Sequence, residues 1–244
     1  KSAMNPLIEF ATERINVMRK KKEEDERIVN QIKEKFVGSL KRLLEEYPNL
    51  TTLHNDVADK INNFIKYGER FETTITYAIT GQSGVGKTRL ARLLAEVFSL
   101  SGMLTYADFQ TAYASNFIAE YVGGTTIKTE EFVYQNIEKA IFLDEAYTLL
   151  QMENGKVGSY SKDAIGRILT LLNELEGRVA FIIAGYDNEI EELFKVNEGL
   201  VTRFRTIVRM PNLSAKKLCR VFYKTFLDKI CKRMGSGTQK SSLN

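Results

Sequence analysis

Gly81-Gln82-Ser83-Gly84-Val85-Gly86-Lys87-Thr88 is the stretch whose reading decides the fold. It fits the pattern GxxxxGK[ST], with the apolar run 74–79 before it and the amphipathic run 88–99 after it, the strand and helix that such a loop requires. The glycines let backbone N–H groups turn inward around phosphate oxygens, and the start of the helix adds partial positive charge at the same point. Lys87 then reaches the β- and γ-phosphates, and the Thr88 hydroxyl ligates a magnesium ion. Residues 81–88 therefore read as a loop that binds Mg-ATP.

A second element sits downstream at the spacing expected of a partner. Ile141-Phe142-Leu143-Asp144-Glu145 is an apolar strand ending in two acids. In a parallel sheet both acids emerge at the carboxyl edge, where ligands bind. Asp144 is then expected near the Mg²⁺, through water, and Glu145 is expected to orient and polarise the attacking water.

Around these motifs the chain alternates short apolar strands with amphipathic helices, the signature of a parallel sheet with crossover helices. Strands are expected at 74–79, 103–107, 140–143, 179–184 and 206–209, and helices at 88–99, 109–120, 129–139, 162–175 and 189–194. Residues 6–47 read as a long helix. Pro6 suits its first turn, and Ile28, Ile32, Phe36, Leu40, Leu43, Leu44 and Tyr47 fall at three- and four-residue spacing. The mixed-sign run 19–27 (RKKKEEDER) reads as a solvated helical face. Tyr47-Pro48-Asn49 breaks this helix, and a second spans 53–66. Pro211 ends the sheet region, Ser214 caps a helix to residue 232, and the polar tail from 235 reads as a linker. The expected organisation is a helical region at 1–72, an ATPase core at 73–212, and a partial helical lid with a flexible tail at 213–244.

Composition excludes several classes. No apolar stretch approaches the roughly 18 to 20 residues of a membrane-spanning helix, and 43% hydrophobic with 27% charged residues is the balance of a soluble domain. A net charge of +4 does not by itself imply nucleic acid. Cys219 and Cys231 lack metal-site spacing and read as ordinary intracellular thiols, so a cytoplasmic location is expected. With His54 as the one histidine, a His-rich metal site or a Ser-His-Asp triad has little to build on. The chain begins at Lys1 rather than Met, which reads as a fragment, a processed product or a trimmed chain.

Four stretches in collinear order carry a resemblance. Tyr121-Val122-Gly123-Gly124-Thr125, Phe142-Leu143-Asp144-Glu145-Ala146-Tyr147, Ala184-Gly185-Tyr186 and Asn197-Glu198-Gly199-Leu200-Val201-Thr202-Arg203-Phe204 resemble the YVGxT, FIDEAY, AGY and NPGLxSRF stretches of the CbbX/SpoVK-like AAA+ ATPases. That group includes red-type Rubisco activases, a sporulation ATPase and type VII secretion ATPases. The resemblance covers about residues 75–220. It implies an α/β P-loop core with a five-stranded parallel sheet in the order 5-1-4-3-2, assembled as a homo-oligomeric, hexameric ring with nucleotide between neighbours and a central pore for a client protein. It further implies that Arg203 is an arginine finger reaching the adjacent subunit's nucleotide. Tyr121, Val122 and Gly123 match the pore loop, an aromatic grip on a flexible backbone. A Tyr121 buried against the preceding helix is the plainer alternative. The sequence departs from the pattern at Val201, where the family carries an arginine, at Tyr186, where a short polar nucleotide sensor is usual, and after residue 214, where one helix stands in place of a full lid.

The function that follows is a protein remodeller driven by ATP binding and hydrolysis. A nucleic-acid motor or loader competes less well, because the pore stretch is Tyr-Val-Gly-Gly rather than a basic hairpin and no aromatic-basic interleaving appears. A non-hydrolysing assembly scaffold is opposed by Glu145 and Arg203.

Overall fold

The computed structural model describes residues 4–67, 74–121, 123–153 and 155–212, with side chains from residue 23 onward. Five strands form a parallel sheet: β1 (Ile75–Thr80), β2 (Phe109–Ala112), β3 (Ala140–Leu143), β6 (Ala180–Gly185) and β7 (Thr206–Arg209). Their lateral order is β2-β3-β6-β1-β7. Counted within this sheet alone, that is 5-1-4-3-2 read from the other edge, as the resemblance implied. Every residue of β1, β3 and β6 is buried, because helices cover both faces of these central strands.

Side-chain alternation divides the core in two. On one face Tyr77, Ile79, Phe142 and Ile182 pack with α3 (Lys87–Leu100), α2 (Thr51–Tyr67) and the end of α1 (Met4–Glu46). On the other, Ala78, Ile141, Phe181 and Ile183 pack with α4 (Ala114–Phe117), α5 (Gly124–Tyr134), α6 (Ser159–Glu174), α7 (Asp187–Val196) and α8 (Glu198–Arg203). A one-turn 3-10 segment, Ala146–Leu149, follows β3, and the two-residue strands β4 (Met152–Glu153) and β5 (Lys156–Val157) form a small hairpin.

The N-terminal helices share the first of these cores. Leu53, Val57 and Ile61 recur every four residues and bury one face of α2, while Tyr77 Oη donates a 2.6 Å hydrogen bond to Asp56 Oδ2. Leu43 of α1 is buried, Ser39 Oγ donates to Glu96 Oε1 at 2.7 Å, and Arg42 and Arg89 pair with Glu96 and Glu46. Residues 23–35 of α1 are exposed on all sides. Among the described residues no helix is long and apolar enough to cross a membrane.

Three expected elements move. The second strand is Phe109–Ala112 rather than 103–107: Met103 and Leu104 are buried, but as a loop that closes off α3, with Leu104 N donating to Phe98 O. The true strand lies at the sheet edge, where Gln110 and Thr111 dilute its apolar signal. The helix expected at 109–120 accordingly shrinks to the single turn of α4. The helix expected at 129–139 begins at Gly124, five residues early, because Thr125 and Thr129 bind the backbone of the preceding segment: Ala119 N donates to Thr125 Oγ1, and Thr129 Oγ1 donates to Phe117 O. The segment after residue 212, including the helix expected from Ser214, lies outside the described residues.

Candidate nucleotide site

The loop between β1 and α3 has the backbone that its sequence calls for. Gly81, Gly84 and Gly86 take φ of 142°, 78° and 101°, values that L side chains rarely adopt. At Gly81 a Cβ would also lie 3.0 Å from both Cβ and O of Met210, so β7 closes on the loop from the side. The cap residue of α3 is Gly86, which offers no side-chain acceptor, so the first N–H groups of the helix are left for another partner. The Lys87 ammonium folds back over the loop, donating to Gly81 O at 2.7 Å and Gln82 O at 3.1 Å, and stands 5.3 Å from the centroid of the Tyr186 ring. Thr88 follows in the first turn of α3, half-buried.

One strand separates this loop from the acids. Since β6 lies between β1 and β3, the two strand ends are roughly 10 Å apart. The half-buried Asp144 and the exposed Glu145 leave β3 at the same carboxyl edge. Glu145 adopts φ 49°, one of two non-glycine residues in the left-handed region among the described residues. Such strain persists only where surrounding structure enforces it. Here Thr148 does so, donating to Glu145 O from its backbone N at 2.8 Å and from its hydroxyl at 2.7 Å, while Glu145 N donates to Asp144 Oδ1 at 3.1 Å. The Tyr147 phenol is pushed above its ordinary value by desolvation and then by the fields of Glu145, Glu189, Tyr186 and Asp144, so its neutral form is favoured.

Two further contacts link this edge together. Gly81 N donates to Gly185 O at 3.2 Å, which fixes Tyr186, the next residue, against the loop. Thr80 Oγ1 donates to Asp187 Oδ1 at 2.5 Å, and Arg209 approaches Asp187 and Glu191 at 3.7 Å each. The AGY stretch by itself gives Tyr186 no task. Its contact with Lys87 joins residues 99 positions apart, and no local pattern announces it.

The two remaining candidates lie elsewhere. Arg203 ends α8, and its Nε donates to Asn173 Oδ1 at 2.5 Å. Its carbonyl accepts from Thr76 at the amino end of β1, so it sits at the opposite edge of the sheet from its own phosphate loop. Tyr121 is 66% exposed, which overturns the reading of a Tyr buried against the preceding helix. Gly123 caps α5 at φ 79°, and Val122 lies outside the described residues.

The residues present fit a nucleoside triphosphate. The glycine cradle, the uncapped helix start and the Lys87 ammonium are all aimed at polyanion chemistry. Among the described residues no three His, Cys, Asp or Glu side chains converge on a metal-sized site. Mg²⁺ would take Thr88 as a protein oxygen, meet Asp144 through water, and fill its shell with phosphate oxygens and water, as this ion commonly does.

The core of the chain is similar to known proteins. Over 150 residues the chain is 31% identical to the ESX-1 secretion system protein EccA1 of Mycolicibacterium smegmatis, covering 62% of this chain and 26% of that protein. It is 28% identical over 144 residues to the protein CfxQ homolog of Galdieria sulphuraria, covering 59% of this chain and 47% of that one. The chain thus spans about a quarter of the EccA1 length and about half of the CfxQ homolog. The crystal structure of the FIGL-1 AAA domain in complex with ADP aligns with a TM-score of 0.48 at 14% identity, over 69% of this chain and 53% of that one. The sequence model described as ATPase family associated with various cellular activities (AAA) matches residues 77–212, more than half of the 244. This chain belongs to the AAA family of ATPases.

Proposed function

We propose that this AAA protein binds Mg-ATP through residues 81–88, hydrolyses it, and uses the cycle to remodel a client protein in the pore of a homo-hexameric ring. The observation that carries the reading is the placement of Asp144 and Glu145 at the sheet edge where β1 turns into the phosphate loop, with Glu145 held at φ 49°. In the proposed reaction Lys87 leaves the carbonyls of Gly81 and Gln82 for the β- and γ-phosphates. Glu145 takes the proton of a water whose oxygen attacks the γ-phosphorus, and the bond to the bridging oxygen breaks to release ADP. Mg²⁺, when bound, neutralises charge on the phosphates. Arg203 serves the neighbouring subunit's nucleotide rather than its own.

Membership of the CbbX/SpoVK-like group rests on the four collinear stretches, and the similarity to EccA1, by name a secretion-system protein, is in keeping with it. On this reading residues 73–212 are the catalytic core and residues 1–72 a helical region, of which α2 and the end of α1 pack on the core. The site is intracellular, where ATP is available. Tyr121, with Val122 and Gly123, contacts the client.

The deciding experiment measures ATP turnover with unfolded protein, with single-stranded DNA and with RNA. Stimulation by the protein alone is the expected outcome. Stimulation by nucleic acid alone would replace the remodeller with a nucleic-acid motor, and absence of turnover in assembled rings would sink the hydrolytic reading.

A further inference from the structure

Beside Tyr121 an open groove runs between α5 and the β4–β5 hairpin. Its apolar lining comes from Ile118, Ile127 and the rings of Tyr121 and Tyr160. Tyr121 and Ile127, which both line it, are 66% and 56% exposed. Its charges are unbalanced. Glu120, Glu131 and Glu153 line it, all exposed, and none has an ion-pair partner among the described residues. The one cation, Lys128, already donates to Ile118 O at 3.1 Å. An acid-rimmed apolar groove on a chain of net charge +4 is a local reversal of sign.

We propose that this groove takes an extended polypeptide segment carrying lysine or arginine next to apolar residues. The apolar side chains lie on Ile127 and the tyrosine rings, and the cations meet the three carboxylates. This deepens the reading above, on which Tyr121 contacts the client, by naming the client chemistry that the site prefers. Three exposed ion pairs together give about a tenfold preference, screened by salt.

The test uses two short, unstructured, fluorescent peptides, identical except that one carries Lys wherever the other carries Glu, titrated with the full chain and followed by anisotropy. The Lys peptide is expected to bind about tenfold tighter, less so at high salt. The surface double variant Glu131→Gln/Glu153→Gln, which leaves Glu120 in place, should keep its melting temperature and reduce that preference to about twofold. Equal binding of the two peptides, or a preference undiminished in the double variant, overturns the groove assignment. The same peptides added to the ATPase assay separate the two readings. A charge preference in binding without any stimulation leaves the groove standing and removes client remodelling, whereas equal stimulation by both peptides does the reverse.

Discussion

The Thr76 hydroxyl donates a 2.6 Å hydrogen bond to the carbonyl of Arg203, which ties the end of α8 to the amino end of β1. Gly81 lies five residues further along, roughly 16 Å at the rise of a strand. An arginine side chain does not span that distance, so Arg203 and Lys87 of one chain belong to different sites. Arg203→Ala alone is expected to lose turnover by about 10³ to 10⁵ while still binding ATP. Mixed with a Lys87→Ala subunit, which lacks the phosphate contact but keeps Arg203, it should recover part of the activity. Turnover of the mixture, with oligomer mass measured alongside, checks this. No recovery in assemblies shown to be mixed counts against a shared site.

Glu145→Gln is expected to keep ATP binding and lower turnover about a hundred- to ten-thousandfold, because the amide preserves shape but does not accept the water's proton. Lys87→Ala should instead lose binding, since it removes the cation from the cradle. Nucleotide binding by fluorescence and phosphate release by a coupled assay separate the two effects. Unchanged turnover in the Gln variant would mean that the acid lies elsewhere on the edge, with Glu189, also near Tyr147, the next to test.

The parts of this architecture legible in the sequence are those where backbone chemistry leaves few alternatives. Residues 81–88 needed glycine at left-handed φ and a lysine within reach, and the GxxxxGKT stretch supplies both. The run 140–143 is apolar on both faces, as a central strand must be, and its bounds are as expected. Legibility fails where tertiary partners override local pattern. Phe109–Ala112 is a strand because Phe109 stacks on Phe142 at 5.3 Å and β3 supplies hydrogen bonds, neither visible from Gln110 and Thr111. Gly124-Thr125-Thr126 is poor helix sequence. It is helical because two threonine hydroxyls anchor it to the segment before it. The short helix Glu198–Arg203 shows in the sequence only as a motif, although Asn197, whose side chain accepts from Gly199 N, marks its start.

Alkaline pH should expose the link between α2 and the sheet. Burial, then the Asp56 carboxylate, holds the Tyr77 phenol well above its ordinary 10.0. Because its folded value is raised, the stabilisation is fully present below pH 10.0 and is lost as pH climbs beyond it, where the unfolded chain ionises and the folded one resists. Tyr77→Phe should cost about 1 to 2 kcal/mol near neutrality, from the lost hydrogen bond to Asp56. It should also flatten the fall of stability above that pH. Urea melts of both proteins across the alkaline range check this, and parallel slopes would show that Tyr77 does not govern the transition.

On the proposed reading, Tyr121 is the residue whose loss separates gripping a client from hydrolysing ATP. Its ring lies over the backbone of Gly124, where a Cβ would collide with it, yet 66% of the residue faces solvent. Truncating an exposed side chain changes stability by about 0.5 kcal/mol or less, whereas removing a buried ring costs about 3 to 5. For a chain of this size the buried case would lower the melting temperature by roughly 6 to 20 °C, and the exposed case by about 1 to 2 °C. Tyr121→Ala is therefore expected to melt with the parent protein and to lose stimulation of turnover by unfolded protein, since it removes most of the aromatic contact area and no phosphate or metal ligand. Melting temperature and client response, measured on the one variant, settle the matter. A large drop in melting temperature would mean that the ring is structural, and full client response at an unchanged melting temperature would mean that the grip lies elsewhere in the groove.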